Sequence, residues 1–356
     1  MNLKNGIKYA LSLAIAGGLL WFTFQQSHID AADLWGKIKA ADYRWVLVSA
    51  VLTIVAHWSR AERWRTLLEP VVAKTPSSLD ATASVLTGYL ANLALPRAGE
   101  VARCGTLYRL TSRTGEPVPV NVSFGTVVAE RLFDLLMLVL LLGATFILEF
   151  DRLSQFFMEF LGGKLPKGTS GAGILLLAVV VLAGLGLLGW FLFNRYRTAL
   201  GKHPVYQKVA AFLNGLLDGL MSVRKLRRPG AFVFHTLLIW TMYYLMSYTL
   251  FFALPATANL GPLAGLTILV VGTLGMAAPT PGGIGSFHLL VGQVALLYGL
   301  TSQDGQILAT FIHGVSTLMI ILLGIGSILY ILTRQSSRMA QTDDVLTDPS
   351  AIRLEK

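Results

Sequence analysis

The sequence predicts an all-α, polytopic membrane protein, and two observations lead to that prediction. Of the 356 residues, 54% are hydrophobic and only 13% are charged, whereas a soluble domain has about 25% charged residues. Four apolar runs also reach the length of about 18–20 residues that crosses a bilayer. These runs extend over 6–24, 173–193, 231–254 and 306–332.

Charge and cysteine content exclude several classes of function. Eight of the 29 basic residues lie between Arg195 and Arg228, and cytoplasmic loops of membrane proteins concentrate Lys and Arg in this way. The net charge of +10 therefore does not indicate a nucleic-acid partner.

Cys104 is the only cysteine, which excludes an internal disulfide and a cysteine-based metal cluster. The sequence contains no P-loop and no Gly-x-Ser-x-Gly motif, so no catalytic residue, cofactor or metal is predicted.

The helices are assigned in order along a single transmembrane domain, residues 1–335. Six full spans are predicted, at about 7–24, 45–58, 121–149, 172–194, 231–254 and 306–332. Two further segments, 79–109 and 261–300, are interrupted by proline and glycine. Each either re-enters the membrane from one face or crosses it, so six to eight spans are counted.

A basic linker and a polar tail complete the chain. In the linker 195–230, apolar residues recur every three or four positions, which predicts one apolar helix face. Such a helix lies on the cytoplasmic surface of the membrane or packs against another protein element, and both interpretations stay open. The tail 336–356 is polar and is predicted to be disordered.

The distribution of basic residues predicts the orientation. Lys and Arg are frequent in 59–78, in 195–230 and in the tail, whereas 255–262 and 301–305 contain none. Because basic residues collect on the cytoplasmic side, both termini are predicted to be cytoplasmic. The first broken segment then opens towards the cytoplasm and the second towards the outside.

The two breaks resemble each other. Each has the pattern Pro-x-x-Gly followed by an apolar residue two positions later, once at Pro96 and Gly99 and again at Pro279 and Gly282. A single helix precedes each break and a long one follows it, in a first half of about 45–150 and a second of about 231–332. With opposite sidedness, this order predicts an inverted-topology repeat. Two ordinary kinks are the alternative.

The breaks also predict a binding function. Pro96, Gly99, Pro279 and Pro281 would end the incoming helix, because proline lacks an N–H group and glycine permits the turn. The helix that restarts exposes unpaired N–H groups and a partial positive charge, and inside a bilayer these groups must meet a partner. Gly282, Gly283 and Gly285 are therefore predicted to form a cradle for an anion such as phosphate.

Six ionisable residues fall within the apolar segments. They are Arg97, Glu100, Arg103, Glu130, Arg131 and Asp134. If all six side chains faced lipid, their exposure would cost on the order of 15–20 kcal/mol. That cost exceeds the folding free energy of a typical protein, so they must face the interior. We expect Glu100 to bridge Arg97 and Arg103 at i,i+3 spacing. The set forms either a buried ion-pair network or a substrate site for an anionic group, and both roles are compatible.

Arg60 and Arg63 lie just after the predicted end of the second span, at about residue 58. Basic residues at such a position usually anchor the helix at the membrane boundary. The sequence therefore predicts a boundary role for this pair, with contact to lipid headgroups as the functional alternative.

Five motifs together resemble the lysylphosphatidylglycerol synthase transmembrane-region family, whose members are also called flippase-like integral membrane proteins. The motifs are Arg60-Ala-Glu-Arg-Trp-Arg65, Gly88-Tyr-Leu-Ala-Asn92, Pro96-Arg-Ala-Gly-Glu100 with Arg103, Glu130-Arg-Leu-Phe-Asp134 and Pro279-Thr-Pro-Gly-Gly-Ile-Gly285. The resemblance covers about residues 5–335 and implies a multi-pass protein of the cell inner membrane. Synthase members have a separate aminoacyl-transferase domain, whereas only the short polar tail follows here, so a member without that domain is expected.

The resemblance implies movement of a phosphate-bearing lipid or a lipid-linked glycan between leaflets, without enzymatic activity. The expected partner is a membrane lipid with an anionic headgroup, and no nucleic acid. As an alternative, the protein is a membrane scaffold that supports a lipid- or glycan-modifying enzyme. A third reading, an intramembrane enzyme acting on polyprenyl phosphate, finds no nucleophile–base set in the sequence.

Overall fold

The structure, a computed structural model, describes residues 3–95, 97–112, 115–152 and 226–347, with a few isolated positions between 180 and 207. Within these residues the chain is helical, without a β-strand, as the sequence predicts. The first six helices are α1 (Leu3–Gln26), α2 (Ala31–Lys39), α3 (Tyr43–Leu68), α4 (Ser78–Ala94), α5 (Gly99–Ser112) and α6 (Val120–Leu148). The remaining four are α7 (Pro229–Thr249), α8 (Pro262–Ala277), α9 (Ser286–Leu296) and α10 (Ser302–Thr347).

Short 3-10 turns follow α7 at Leu250–Ala253 and precede α9 at Pro281–Gly283. Local sequence explains several helix starts. Asp42 and Ser77 accept hydrogen bonds from the backbone N–H groups of the first turns of α3 and α4, as capping residues do. Proline occupies the first turn of α7 and α8, where its missing N–H group has no helical partner to lose.

Both broken segments are helical hairpins. In the first, the Asn92 Oδ1 atom accepts a hydrogen bond from the backbone N–H of Gly99 at 2.7 Å, so α5 returns along α4. In the second, the hydroxyl of Tyr298, just after α9, donates to the Thr267 Oγ1 atom of α8 at 2.6 Å. A continuous helix would hold Asn92 and Gly99 about 10 Å apart and Thr267 and Tyr298 about 46 Å apart, and in both segments the two helices pack against each other. Each break therefore reverses the chain.

Three of the described helices are long and apolar enough to cross a membrane. They are α6, α7 with its 3-10 turn, and the part of α10 that extends to Arg334. The predicted span 172–194 and the predicted amphipathic linker 195–230 fall almost entirely outside the described residues.

Two predicted helix ends differ from the structure. The second span does not end at residue 58, because α3 continues to Leu68, and the ion pairs described below offset the cost of its charged residues. The last helix continues to Thr347, into the tail that was predicted to be disordered, since no glycine or proline between 335 and 347 ends it.

Packing brings the two halves of the chain together. α3 packs along α7, α4 packs against α10, and α6 packs against α8. One apolar core surrounds Phe251, Ile268, Val291 and Leu308, and a second surrounds Trp64, Cys104 and Val127. The charged residues of α3, α5 and α6 and the second break meet in the space between these helices.

Candidate functional site

A buried ion-pair cluster links α3, α5 and α6. The Glu130 carboxylate of α6 lies 2.8 Å from an Arg60 Nη2 atom, 3.3 Å from Arg63 and 3.0 Å from Arg103. The Asp134 carboxylate, one turn further along α6, lies 2.6 Å from both Arg60 and Arg63. The Glu130 and Arg63 side chains are completely buried. The cluster thus links the three helices through largely buried charges.

Helix geometry explains why these residues meet. Residues three or four positions apart share a helix face, so Arg60 and Arg63 of α3 are presented together to Glu130 and Asp134 of α6. The guanidinium of Arg103 also lies over the Trp64 ring, 3.9 Å from its centroid. That stacking gives a weakly hydrated cation a second favourable contact.

A separate pair lies beside the cluster. An Arg131 Nη2 atom donates to the Glu100 Oε1 atom at 2.9 Å. The Arg131 side chain is 45% exposed, far more than the arginines of the buried cluster. The predicted bridge from Glu100 to Arg97 and Arg103 is therefore wrong, because helix α6 supplies nearer partners to both Glu100 and Arg103.

A central cavity of about 360 Å³ lies between the two halves. One end is polar and is lined by Arg60, Arg131 and Asp134, together with His57, Tyr89 and Tyr243. Most of the wall is apolar and comes from α6, α7, α8 and α10. Gly282 of the second break also lines it, so charged side chains from the first half and backbone from the second half border one space.

The second break reverses the chain through three glycines in the left-handed region. Their φ angles are 57° at Gly282, 77° at Gly283 and 82° at Gly285, a conformation that costs other residues free energy. The Ser286 hydroxyl donates to the Gly275 carbonyl at 2.7 Å and lies 2.9 Å from the Thr280 hydroxyl. Neutral hydrogen bonds therefore stabilise this turn.

Two histidines pack behind the second break. The Nδ1 atoms of His288 and His313 are 3.4 Å apart, both side chains are buried, and His313 lines the cavity. At this distance one ring donates a hydrogen bond to the other. The pair is consistent with satisfied interior histidines that hold α9 against α10.

The predicted site residues are only partly gathered here. Arg131, Asp134 and Gly282 line the cavity, while Arg103 and Glu130 stand behind it in the cluster. Gly283 and Gly285 are packed instead: a β-carbon at Gly283 would meet the Met276 sulfur, and one at Gly285 would meet the Ala16 carbonyl of α1. Of the four break residues, Gly99 is packed against Gly88 and Asn92 and Pro281 starts a 3-10 turn. Pro279 precedes that turn, and its carbonyl accepts a hydrogen bond from the Ser12 hydroxyl at 2.9 Å. Pro96 is outside the described residues.

Arg97 lies at the tip of the first hairpin. It is exposed and adopts a left-handed conformation with φ 64°. This arginine does not line the central cavity, and contact with a substrate remains a prediction for it.

Arg60 and Arg63 were assigned to a membrane boundary, yet the structure buries both in the ion-pair cluster. The sequence did contain a partial signal for this: Arg60 and Arg63 share one helix face at i,i+3 spacing, and the intramembrane acidic residues of α6 required compensation. The sequence did not predict Tyr89, Tyr243 and Trp240 as cavity residues. Tyr89 lies in one of the five motifs, whereas no pattern distinguishes Tyr243 and Trp240 from other aromatic residues of apolar helices.

The family comparison agrees with this architecture. The family described as "Lysylphosphatidylglycerol synthase TM region" matches residues 9–324. The chain belongs to this family. The match spans both hairpins, the ion-pair cluster and the cavity, and it confirms the resemblance identified from the sequence motifs. It supports a membrane protein with a lipid-related role.

Two further searches add nothing to this. Neither the comparison with curated proteins nor that with solved structures gave a significant match.

Proposed function

We propose that the protein moves a lipid with a phosphate-bearing headgroup, or a lipid-linked glycan, between the two leaflets. One observation supports this most directly: a cavity of about 360 Å³ joins a charged end at Arg60, Arg131 and Asp134 to an apolar wall. A headgroup and its acyl chains need those two environments side by side. Because lipid translocation requires no covalent chemistry, the proposal needs no catalytic group.

The charge balance favours an anionic headgroup. Four arginines of the cluster and its neighbouring pair, Arg60, Arg63, Arg103 and Arg131, face three carboxylates, Glu100, Glu130 and Asp134. One positive charge is therefore left over among these groups. An uncompensated charge in a low-dielectric interior is costly, and a phosphate would balance it while accepting bidentate hydrogen bonds from a guanidinium.

The packing supports an inverted repeat in this proposal. In sequence order, α3, α4 and α6 of the first half correspond to α7, α8 and α10 of the second. α3 packs along α7, while α4 packs against α10 and α8 packs against α6. A two-fold axis in the membrane plane would interchange α4 with α8 and α10 with α6. The contact between α4 and α10 would then have its equivalent in the contact between α8 and α6, as is found.

We further propose that the protein lies in the inner membrane with both termini in the cytoplasm. The turn after α7 would then be periplasmic and the loop after α3 cytoplasmic. Cysteines placed at Asn259 and at Lys74, both exposed, on a Cys104→Ala background test this with an impermeant thiol reagent applied to whole cells. We expect labelling at 259 and none at 74. The reverse pattern would overturn the orientation.

The proposed activity is tested by reconstitution. We expect the purified protein in phosphatidylcholine vesicles to accelerate exchange of a fluorescent phosphatidylglycerol between leaflets. The double variant Glu100→Gln with Arg131→Gln removes a balanced pair that is partly exposed, so stability should change by no more than about 1 kcal/mol. Exchange should nevertheless fall by about tenfold or more, since a neutral amide does not replace a guanidinium towards phosphate.

The matched control is Glu69→Gln with Arg228→Gln. This pair also joins two elements and is partly exposed, at 3.1 Å, but it does not line the cavity. It should exchange lipid as the unmodified protein does. Undiminished exchange in the Glu100/Arg131 variant would make that pair structural. No exchange by the unmodified protein would favour a scaffold, and a chemically altered lipid would favour an enzyme.

A further inference from the structure

Among the contacts that join the two halves, α4 meets α10 along one seam and α6 meets α8 along another. These two seams differ in how tightly they pack. At the seam between α4 and α10, the Thr87 and Ser327 hydroxyls are 3.2 Å apart, and the Tyr330 hydroxyl donates to the Asp80 carboxylate at 2.9 Å. Leu90 packs so closely on Gly324 that a β-carbon there would lie 3.0 Å from the Leu90 Cβ atom. These contacts close the seam between Asp80 and Leu90 of α4.

The seam between α6 and α8 instead contains a groove of about 370 Å³. Its walls are almost entirely apolar. They come from Met137 and Leu141 of α6, Leu237, Trp240, Thr241 and Tyr244 of α7, and Pro262, Leu263, Leu266 and Leu269 of α8. Leu237 and Leu263 at its edge are well exposed, so in a bilayer the groove would open to lipid.

Trp240 and Leu269 line both this groove and the central cavity. The two spaces therefore adjoin, and these side chains form the wall between them. The indole Nε1–H of Trp240 is buried without a hydrogen-bond partner among the described residues, and only 6% of the side chain is exposed. A buried donor of this kind normally has an acceptor, and an ester or phosphate oxygen at the junction of headgroup and chains would provide one.

We infer that the α6–α7–α8 groove is the binding site for an acyl chain of the lipid whose headgroup occupies the central cavity. This inference rests on the proposed function and adds the route: the lipid enters sideways between α6 and α8, past Trp240. The closed α4–α10 seam is the equivalent route on the other side of the repeat. The adjoining cavity identifies the occupant, because a chain in the groove leaves its headgroup next to Arg131 and Asp134.

Two neighbouring leucines provide the test. Leu141 lines the groove, whereas Leu140, the next residue of α6, is 57% exposed and does not. Leu141→Trp fills the groove and Leu140→Trp adds the same bulk towards lipid. Each protein is reconstituted in phosphatidylcholine vesicles containing a trace of phosphatidylglycerol with a photoreactive diazirine in one acyl chain. Labelled peptides are then identified by mass spectrometry, and leaflet exchange is measured on the same vesicles.

We expect label on the α8 peptide that contains Leu263 and Leu266. Leu141→Trp should reduce that label by about tenfold, since several methylene groups of the chain would lose their buried site. Leu140→Trp should leave the label unchanged. Trp240→Phe should keep chain labelling but reduce exchange, because the ring remains and its donor is lost.

Equal labelling in the two tryptophan variants would overturn the inference. So would label confined to the outward faces of α6 and α10. If the unmodified protein exchanges no lipid but its groove is labelled in the expected pattern, the acyl-chain site stands and the proposed translocation falls.

Discussion

Both helical hairpins must satisfy the backbone groups that their breaks set free, and they use different side chains to do so. The α4–α5 hairpin supplies Glu100 and Arg103 to ion pairs with α6, and Asn92 caps the returning helix at the Gly99 N–H. The α8–α9 hairpin contains no Asp, Glu, Lys or Arg. There, Ser286 satisfies the carbonyl of Gly275 on the incoming helix, and three left-handed glycines form the turn.

This difference indicates a division of labour. A break inside a bilayer must satisfy its freed backbone groups. In each hairpin a neutral side chain, Asn92 or Ser286, satisfies one of these groups, and backbone hydrogen bonds within the turn satisfy others. The charges of the first hairpin therefore have another role, in the cluster behind the cavity. The second hairpin presents backbone to the same cavity at Gly282, where neutral close packing is sufficient.

The largest expected effect comes from removing the central carboxylate of the first hairpin's cluster. Glu130→Gln keeps the shape of the side chain but removes the carboxylate that pairs with Arg103, and it leaves Arg60 and Arg63 with Asp134 alone. Loss of one partner from a buried ion-pair network typically costs about 3–5 kcal/mol. We expect a clear drop in the temperature at which the detergent-solubilised protein loses its monodisperse size-exclusion peak. Ser286→Ala, in the second hairpin, should cost only about 1 kcal/mol.

The comparison variant for Glu130→Gln is Glu69→Gln, which removes a carboxylate whose partner Arg228 is largely exposed. That change should cost less than about 1 kcal/mol. If the Glu130→Gln and Glu69→Gln variants lose their monodisperse peak at the same temperature, the cluster does not stabilise the first half. The contrast between the hairpins then fails.

A smaller effect should separate the two hairpins by their glycines. A β-carbon at Gly99 would meet the Gly88 carbonyl, which is backbone, whereas one at Gly283 would meet the flexible Met276 side chain. We expect Gly99→Ala to cost about 1–3 kcal/mol, because α5 must move away from α4. Gly283→Ala should cost about 1–2 kcal/mol, chiefly through its left-handed φ angle, with the Met276 Cα atom 3.2 Å from the added β-carbon.

Gly105→Ala serves as the control for Gly99→Ala. It lies in the same helix, and nothing lies within 4 Å of the β-carbon it would add, so helix propensity should make the change neutral or slightly stabilising. Thermal unfolding of the three variants measures the order. A larger loss for Gly283→Ala than for Gly99→Ala would show that the second hairpin is the more tightly packed of the two.

The sequence predicted both breaks and their positions correctly, because Pro and Gly act on their own backbone. It also predicted that the six intramembrane charges face the interior. Five of the six pair with one another or with α3, whereas Arg97 is exposed at the hairpin tip, so the prediction is wrong for that residue. It did not predict the partners. Glu100 was expected to pair within its own helix, and Arg60 and Arg63 were expected at a boundary, because spacing along one helix gives no distance to a second helix.

Composition and hydropathy determined by themselves that this is an all-α membrane protein, because the cost of exposing polar groups to lipid depends on residue type alone. The five motifs by themselves determined its family, because each motif is a short run of neighbouring residues that can be recognised without knowledge of the fold. Only the tertiary structure decided that Arg60 and Arg63 join Glu130 and Asp134, that Gly282 borders the cavity while Gly283 and Gly285 are packed, and that one seam is closed while the other holds a groove. Each of these facts depends on how helices that are distant in sequence pack against one another. That packing is stabilised by contacts between whole helix surfaces, which no local sequence pattern describes.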